Sequence, residues 1–159
     1  MNNKKVKNAK EWEYDDRKFK SGLELFCYKK LKENNIPFIY QPGKTILLGS
    51  FKINYKCYEN IGKIYRDEDK KIINNTKRFD LTDSVREISY TPDFMCPDMS
   101  WIIETKGFAN DSFPLRWKMF KTWLFDNKYD GILMKPTTQK EILQCIEIID
   151  NGKENNSQT

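Results

Sequence analysis

Two short segments separated by a turn constrain this chain more than any other feature. They are residues 90–94 (YTPDF) and 101–107 (WIIETKG). The residues between them, 97–100 (PDMS), have the composition of a turn. We expect the two segments to be neighbouring strands of an antiparallel hairpin that reverses at Asp98-Met99.

This hairpin would bring two carboxylates together. If the chain reverses at Asp98-Met99, positions whose numbers sum to 197 face each other, so Asp93 lies opposite Glu104. Residues directly opposed in this way have Cβ atoms about 4.5–5.5 Å apart. Lys106 follows Glu104 by two positions and leaves the same face of the strand. The turn contains no glycine, so a pairing shifted by one residue is the alternative.

Two opposed carboxylates repel each other unless a proton or a cation lies between them. Oxygen ligands with net negative charge suit Mg²⁺ or Mn²⁺, and a neighbouring lysine can order a hydroxide or meet phosphate charge. Each residue also has a simpler interpretation. Asp93 could be a polar turn residue, Glu104 could pair with a basic neighbour, and Lys106 could be a solvated strand end.

Composition excludes several other centres. The chain has no histidine, which rules out a His general base, a Ser-His-Asp triad and a Cys₂His₂ zinc site. Its four cysteines contain no CxxC pair, so we interpret them as buried structural thiols in a reducing compartment. The formal net charge of +5 favours a polyanionic partner without establishing one.

The 159 residues suffice for one domain with a sizeable core. No apolar run approaches the roughly 18 residues of a membrane span, and residues 1–10 resemble no signal peptide. We therefore expect a soluble, cytoplasmic protein without a membrane partner. We assign residues 1–20 to a flexible basic arm and 21–152 to a single domain. That domain would carry an insertion at about 52–87, and 153–159 would form a disordered tail.

The order of predicted elements indicates an α/β fold with a mixed central sheet flanked by helices. Ser21 is a favourable N-cap for a first helix that Asn34, Asn35 and Pro37 would end. Strands follow at 38–40 and 45–51, and the charged stretch 66–78 is interpreted as an exposed loop. After the hairpin we expect a helix over 115–125 behind Ser112, a buried strand at 131–134, and a last helix ending at Gly152.

Glu24 is a further candidate for the carboxylate site. Residues 21–24 (SGLE) match a capping box, in which the glutamate bonds back to the amide of the cap residue. Glu24 also lies beside the apolar stripe of its helix and could point toward the sheet. The pattern alone leaves a structural role and a role at the metal site open.

Basic residues on the second helix are candidate contacts to phosphates. Arg116, Lys118 and Lys121 follow the second carboxylate strand and could face DNA, although a solvated helix face explains them as well. Lys20 and Ser21, at the start of the first helix, are plausible phosphate contacts at a helix N-terminus.

The combined pattern resembles the PD-(D/E)xK nuclease superfamily, including the proline before Asp93. Within that superfamily the chain resembles the junction-resolving endonuclease I of T-seven-like phages and related phage resolvase-type nucleases, over roughly residues 20–40 and 87–108. The matching segments are 21–24 (SGLE), 90–94 (YTPDF) and 104–107 (ETKG).

The resemblance implies a restriction-endonuclease-like core and Mg²⁺- or Mn²⁺-dependent hydrolysis of DNA phosphodiesters. Asp93, Glu104, the Thr105 carbonyl and Glu24 would be metal ligands. Lys106 would position the attacking water or stabilise the charged transition state.

It also implies a phage-encoded homodimer acting on branched DNA such as a Holliday junction. The connection over residues 44–86 is much longer than its counterpart in that family, where it helps to form an exchanged dimer. Two other functions stay open: a general phage DNA nuclease without branch preference, and a non-catalytic DNA-binding protein on a nuclease scaffold.

Overall fold

The structure, a computed structural model, describes residues 12–55, 57–60, 64–65, 72–73, 77–80, 84–107 and 112–156. The helices of the described part are α1 (Gly22–Glu33), α2 (Phe113–Asp126) and α3 (Gln139–Asn156). Its strands in chain order are β1 (Trp12–Tyr14), β2 (Arg17–Phe19), β3 (Ile39–Tyr40), β4 (Thr45–Leu48), β5 (Phe51–Lys52), β6 (Cys57–Asn60), β7 (Ile64–Tyr65), β8 (Ile72–Ile73), β9 (Lys77–Asp80), β10 (Ser84–Val85), β11 (Ile88–Tyr90), β12 (Phe94–Met95), β13 (Trp101–Ile103) and β14 (Ile132–Met134). The protein is therefore mixed α/β, as the sequence predicts.

The chain forms two compact units. One contains the described residues up to Thr45 and those from Tyr90 onward, and the other is Ile46–Ser89. The predicted insertion at about 52–87 falls inside the second unit. No helix in the described residues is long and apolar enough to cross a membrane.

The first unit is built on a four-stranded mixed sheet with the order β14-β13-β12-β3. β12 is antiparallel to both β13 and β3, whereas β13 is parallel to β14. Phe94 pairs with Ile103 and Met95 with Ile102, so paired numbers sum to 197. The predicted hairpin and its register are confirmed, and the shifted pairing is excluded.

The hairpin turn forms without glycine because side chains and one unusual backbone angle close it. The Cys96 amide donates to the Trp101 carbonyl at 2.9 Å, and the Ser100 amide donates to the Asp98 carboxylate at 2.9 Å. Met99 takes up the left-handed conformation with a φ of 62°. Glycine is instead required at position 131, where a Cβ would lie 2.6 Å from the carbonyl oxygens of Met99 and Ser100.

The main core lies between this sheet and two helices, α1 and α3. Trp101 and Ile103 alternate with Ile102 along β13, and all three are buried, so β13 is covered on both faces. The core cluster combines sheet residues with one stripe from each helix: Phe94, Ile103, Met134, Cys27, Leu31, Ile142, Cys145, Ile146 and Ile149. The apolar face predicted for the last helix is thus the buried face.

The start and end of α1 follow the sequence prediction. Ser21 caps the helix, and its hydroxyl accepts a hydrogen bond from the Glu24 amide at 3.1 Å. Asn34 is the C-cap, and Asn35 follows with a φ of 52°. Ser112 likewise precedes α2, although its side chain makes no cap hydrogen bond.

The predicted flexible arm is wrong for residues 12–19, where β1 and β2 pair as a hairpin. Phe19 anchors it because its ring is only 1% exposed and packs 5.0 Å from Tyr28 and 5.2 Å from Tyr40. The many charged residues of this segment favoured a disordered prediction. The burial of Phe19 stabilises the hairpin, while the charged side chains stay in solvent. Residues 1–11 lie outside the described part of the chain.

Two further boundaries differ from the prediction. α3 continues through Gly152 to Asn156, because one glycine costs a helix only about 1 kcal/mol and Lys153 and Glu154, which favour helix, follow it. The predicted tail at 153–159 therefore begins as helix, and 157–159 lie outside the described residues.

Ile72–Ile73 and Lys77–Asp80 are strands, although the sequence favoured a loop over 66–78.

In the second unit, strands within residues 51–65 pair with strands within residues 72–85, and each pair is antiparallel. Phe51 pairs with Val85, Cys57 pairs with Asp80, and Ile64 pairs with Ile73. In the described residues, β5 and β10, β6 and β9, and β7 and β8 therefore form three separate two-stranded antiparallel sheets.

Candidate functional site

Asp93 and Glu104 flank the paired residues of the β12–β13 hairpin and continue its register. Asp93 comes directly before β12, and its carbonyl accepts the Gln41 amide at 2.8 Å. Glu104 follows β13, and its amide donates to the Met134 carbonyl at 3.0 Å. The backbone of each carboxylate residue is therefore fixed by a neighbouring segment of the same unit.

The carboxylate of Asp93 is held by Thr105. Oδ2 of Asp93 accepts hydrogen bonds from the Thr105 amide at 2.8 Å and from the Thr105 hydroxyl at 2.6 Å. Burial raises the pKa of Asp93, the Thr105 bonds oppose that rise, and the charge of Glu24 adds to it. Asp93 is therefore a positioned carboxylate whose charge is unfavourable without a nearby cation.

Glu104 is more deeply buried, with 5% of its surface exposed. Burial raises the pKa of its carboxyl, and the charge of Asp93 raises it further. Lys106 and the Tyr90 hydroxyl act in the opposite direction. Oε2 of Glu104 is buried and has no hydrogen-bond partner among the described residues.

Lys106 reaches Glu104 from the same side of the chain. Its Nζ lies 3.7 Å from Oε1 of Glu104 and 4.4 Å from the centre of the Phe113 ring. The Lys106 amide donates to the Pro136 carbonyl at 3.0 Å. Its side chain is only 25% exposed, so the interpretation as a freely solvated strand end is wrong.

Glu24 is buried at 3% exposure and accepts hydrogen bonds on both oxygens. Oε2 accepts from the Lys20 amide at 2.8 Å, and Oε1 accepts from the Tyr40 hydroxyl at 2.9 Å. The Lys20 bond is a variant of the capping box, in which the amide of the cap residue Ser21 would donate. Glu24 also lies near enough to Asp93 for its charge to raise the pKa of Asp93. The geometry is thus compatible with both roles that the sequence left open.

The structure adds three aromatic residues to those that the sequence singled out. Tyr40 contacts Glu24, Tyr90 lies near Glu104, and Phe113 lies beneath Lys106. Tyr90 belongs to the segment 90–94, so its place three residues before Asp93 could have marked it as a candidate site residue. Phe113 had no sequence signal, because its contact depends on how α2 returns to the sheet.

The carboxylate site has the donor chemistry of a magnesium site, although it is not a complete coordination shell. No three His, Cys, Asp or Glu side chains within the described ranges are grouped to hold a metal ion. Asp93 and Glu104 supply two carboxylates, one of which has a buried oxygen without a partner in the described part of the chain. Paired carboxylates of this kind suit an ion that also takes carbonyl and water ligands. The roles assigned to the Thr105 carbonyl and to Glu24 stay predictions.

The predicted phosphate contacts lie in two places. Lys20 is exposed and adjoins the site through its amide bond to Glu24, whereas the Ser21 hydroxyl caps α1. Arg116, Lys118 and Lys121 are exposed on α2. Within the described residues, no ion pair joins these three cations to the carboxylates. Lys118 and Lys121 line a shallow surface depression with Thr122 and Phe125.

Comparison with known proteins gives no relative: no family model, curated protein or solved structure matches the chain.

Proposed function

We propose that this protein is a metal-dependent DNA endonuclease with a restriction-endonuclease-like core of the PD-(D/E)xK type. One observation carries the proposal. The hairpin register opposes Asp93 and Glu104, and the Lys106 ammonium lies 3.7 Å from the Glu104 carboxylate. Three charged groups partly withdrawn from water are costly for a fold, and such clusters are concentrated at functional sites.

Each residue has a defined part in hydrolysis. Asp93 and Glu104, with the Thr105 carbonyl, would hold Mg²⁺ or Mn²⁺, and Glu24 would add a ligand directly or through water. The bound ion would supply an acidified water and neutralise charge on the scissile phosphate. Thr105 fixes the Asp93 carboxylate by two hydrogen bonds. Lys106 would orient the attacking water or balance the charge that develops on the phosphate.

The raised pKa values of the two carboxyls support this assignment. Burial and mutual repulsion favour a proton on the pair when no cation is present. A divalent cation would replace that proton at neutral pH, because it interacts with both carboxylates at once. A site built only for stability would gain more from neutral residues of the same size.

The finer assignment rests on the resemblance of residues 21–24, 90–94 and 104–107 to phage endonuclease I. On that basis we propose branched DNA as the substrate, a four-way junction in particular, and a homodimer as the active form. Two active sites related by a two-fold axis match the two equivalent scission points of a junction. Lys20, Ser21, Arg116, Lys118 and Lys121 would contact phosphates.

A substrate panel tests this proposal. Matched four-way junction, flap, linear duplex and single-stranded DNA are incubated with the protein in Mg²⁺ and in EDTA, and the oligomeric state is measured by light scattering. We expect Mg²⁺-dependent cleavage that is fastest on branched DNA, and a dimer. Equal cleavage of junction and duplex by a monomer would support a general nuclease. Binding without cleavage would support a non-catalytic DNA-binding protein.

A further inference from the structure

Two buried polar atoms near the carboxylate site have no hydrogen-bond partner among the described residues: the Tyr90 hydroxyl and Oε2 of Glu104. Buried side-chain polar atoms nearly always have a partner, so two orphans require an explanation. A row of packed side chains joins the two groups. The Tyr90 ring lies 6.0 Å from the Trp117 ring, which stacks on Phe113 with centroids 5.8 Å apart. The Lys106 ammonium lies over that Phe113 ring and 3.7 Å from Oε1 of Glu104. The effect of each group on the pKa of the other agrees with this placement.

Tyr90 is fixed by aromatic packing against α2. Its ring stacks on Phe120 with centroids 4.6 Å apart and planes inclined by 28°, and the Trp117 ring lies 6.0 Å away. The Tyr90 side chain is only 7% exposed. Packing on this scale fixes the ring, so the position of the hydroxyl is set by the fold.

Resting on the function proposed above, we propose that Tyr90 is a positioning residue for Glu104. The Tyr90 hydroxyl would donate to Oε2 of ionised Glu104, which leaves Oε1 facing Lys106 and the metal. The arrangement accounts for both orphan atoms with one hydrogen bond. In this arrangement Oε2 of Glu104 would accept the Tyr90 hydrogen bond, and Oε1 would stay available for the metal.

The chemistry of the two groups favours this bond. A hydroxyl that donates to a carboxylate makes a charge-assisted hydrogen bond, which is stronger than a bond between neutral groups. Partners that orient metal ligands in this way typically contribute about 10–100-fold to metal affinity or activity. A tyrosine that served only to fill the core could be phenylalanine, because the stack with Phe120 uses only the ring.

The direct test is Tyr90→Phe, which keeps the ring and removes the hydroxyl. Mn²⁺ binding is measured by titration calorimetry, melting temperature is measured in EDTA, and single-turnover cleavage is measured across Mg²⁺ concentrations. We expect Mn²⁺ affinity to fall roughly 10-fold. Cleavage should fall at low Mg²⁺ and recover in part at high Mg²⁺, with a nearly unchanged melting temperature.

Tyr129→Phe is the matched control, because that hydroxyl bonds to the Ile132 carbonyl at 3.2 Å rather than to a carboxylate. It should leave Mn²⁺ affinity unchanged. Wild-type Mn²⁺ affinity in Tyr90→Phe would overturn the positioning role.

A second measurement separates this inference from the proposed function. Tyr90→Phe, Glu104→Leu and the double variant are melted in EDTA, because leucine leaves the Tyr90 hydroxyl no acceptor at position 104. A hydrogen bond between the two side chains predicts non-additive melting shifts. If the wild-type protein binds no Mn²⁺ and cuts no DNA, the proposed function fails, and this cycle still decides whether the two side chains interact. Additive shifts would refute the interaction.

Discussion

The Lys106 ammonium lies 3.7 Å from Oε1 of Glu104, and both side chains leave the same side of one extended segment. The lysine also lies over the Phe113 ring at 4.4 Å. The carboxylate and the aromatic ring together hold the Lys106 ammonium in place in the absence of any ligand.

Lys106→Met should slow single-turnover cleavage by about 10²–10⁴-fold with little change in melting temperature, because it removes a charge that acts on the chemical step. Lys30→Met is the matched control. Lys30 of α1 also pairs with a glutamate, Glu33, and its Nζ lies 5.6 Å from the centre of the Phe26 ring. Near-normal cleavage by Lys106→Met would leave the lysine only a structural partner of Glu104.

Glu24→Gln separates the two roles of Glu24. If the residue only helps to start α1, the change should cost about 1 kcal/mol or less and leave cleavage intact. We expect instead a strong loss of cleavage at nearly unchanged melting temperature. Glu33→Gln, on the exposed end of the same helix, is the control for removing a carboxylate from α1. Full activity of Glu24→Gln would return the residue to a capping role.

Glu104→Gln should stabilise the metal-free protein at pH 8. Burial and the Asp93 charge raise the folded-state pKa of Glu104 above its unfolded value, so the folded state binds more protons between those two pKa values. Stability therefore falls as pH rises through that range, and the variant escapes this loss. We expect a melting temperature about 2–4 °C higher in EDTA at pH 8, which corresponds to about 1 kcal/mol.

The same difference should shrink as pH falls toward about 3, where Glu104 is protonated in the unfolded state as well as in the folded state. Glu147→Gln, on the exposed side of α3, should show no such pH dependence. A variant that is less stable than wild type at pH 8 would mean that Glu104 gains more from Lys106 than it loses by burial.

Removing basic charge from α2 should weaken DNA binding without affecting the chemistry. Lys118→Gln with Lys121→Gln should lower the slope of log affinity against log salt by about 0.9 for each DNA phosphate that the variant no longer neutralises. Binding is measured in EDTA by fluorescence anisotropy across salt concentrations, with Lys140→Gln as the control for charge on an unrelated helix. An unchanged slope would make this side of α2 a solvated surface.

The parts of the fold that local patterns determine were predictable from the sequence. Ser21 caps α1 as expected, and the β12–β13 register follows from the turn between Met95 and Trp101. Local composition misjudged residues 12–19, because the burial of Phe19 depends on the distant rings of Tyr28 and Tyr40. It also misjudged the end of α3, where Gly152 is tolerated.

The candidate site was predictable where local sequence determines it, and not where it depends on contacts between distant residues. Asp93, Glu104 and Lys106 belong to one hairpin, so counting residues was enough to bring them together. Tyr40 and Tyr90 reach the carboxylates, and Phe113 reaches Lys106, through strand pairing and helix packing that no local sequence pattern contains. Their contacts decide how each charge is held.

The most direct test of the central claim is cleavage of a four-way junction in Mg²⁺ by wild type, Asp93→Asn and Glu104→Gln, with binding measured in parallel in EDTA. We predict that the wild-type protein cleaves and that both variants lose cleavage while binding DNA as tightly as wild type or more tightly. Full cleavage activity in either variant would contradict the assignment of these two carboxylates to a catalytic metal.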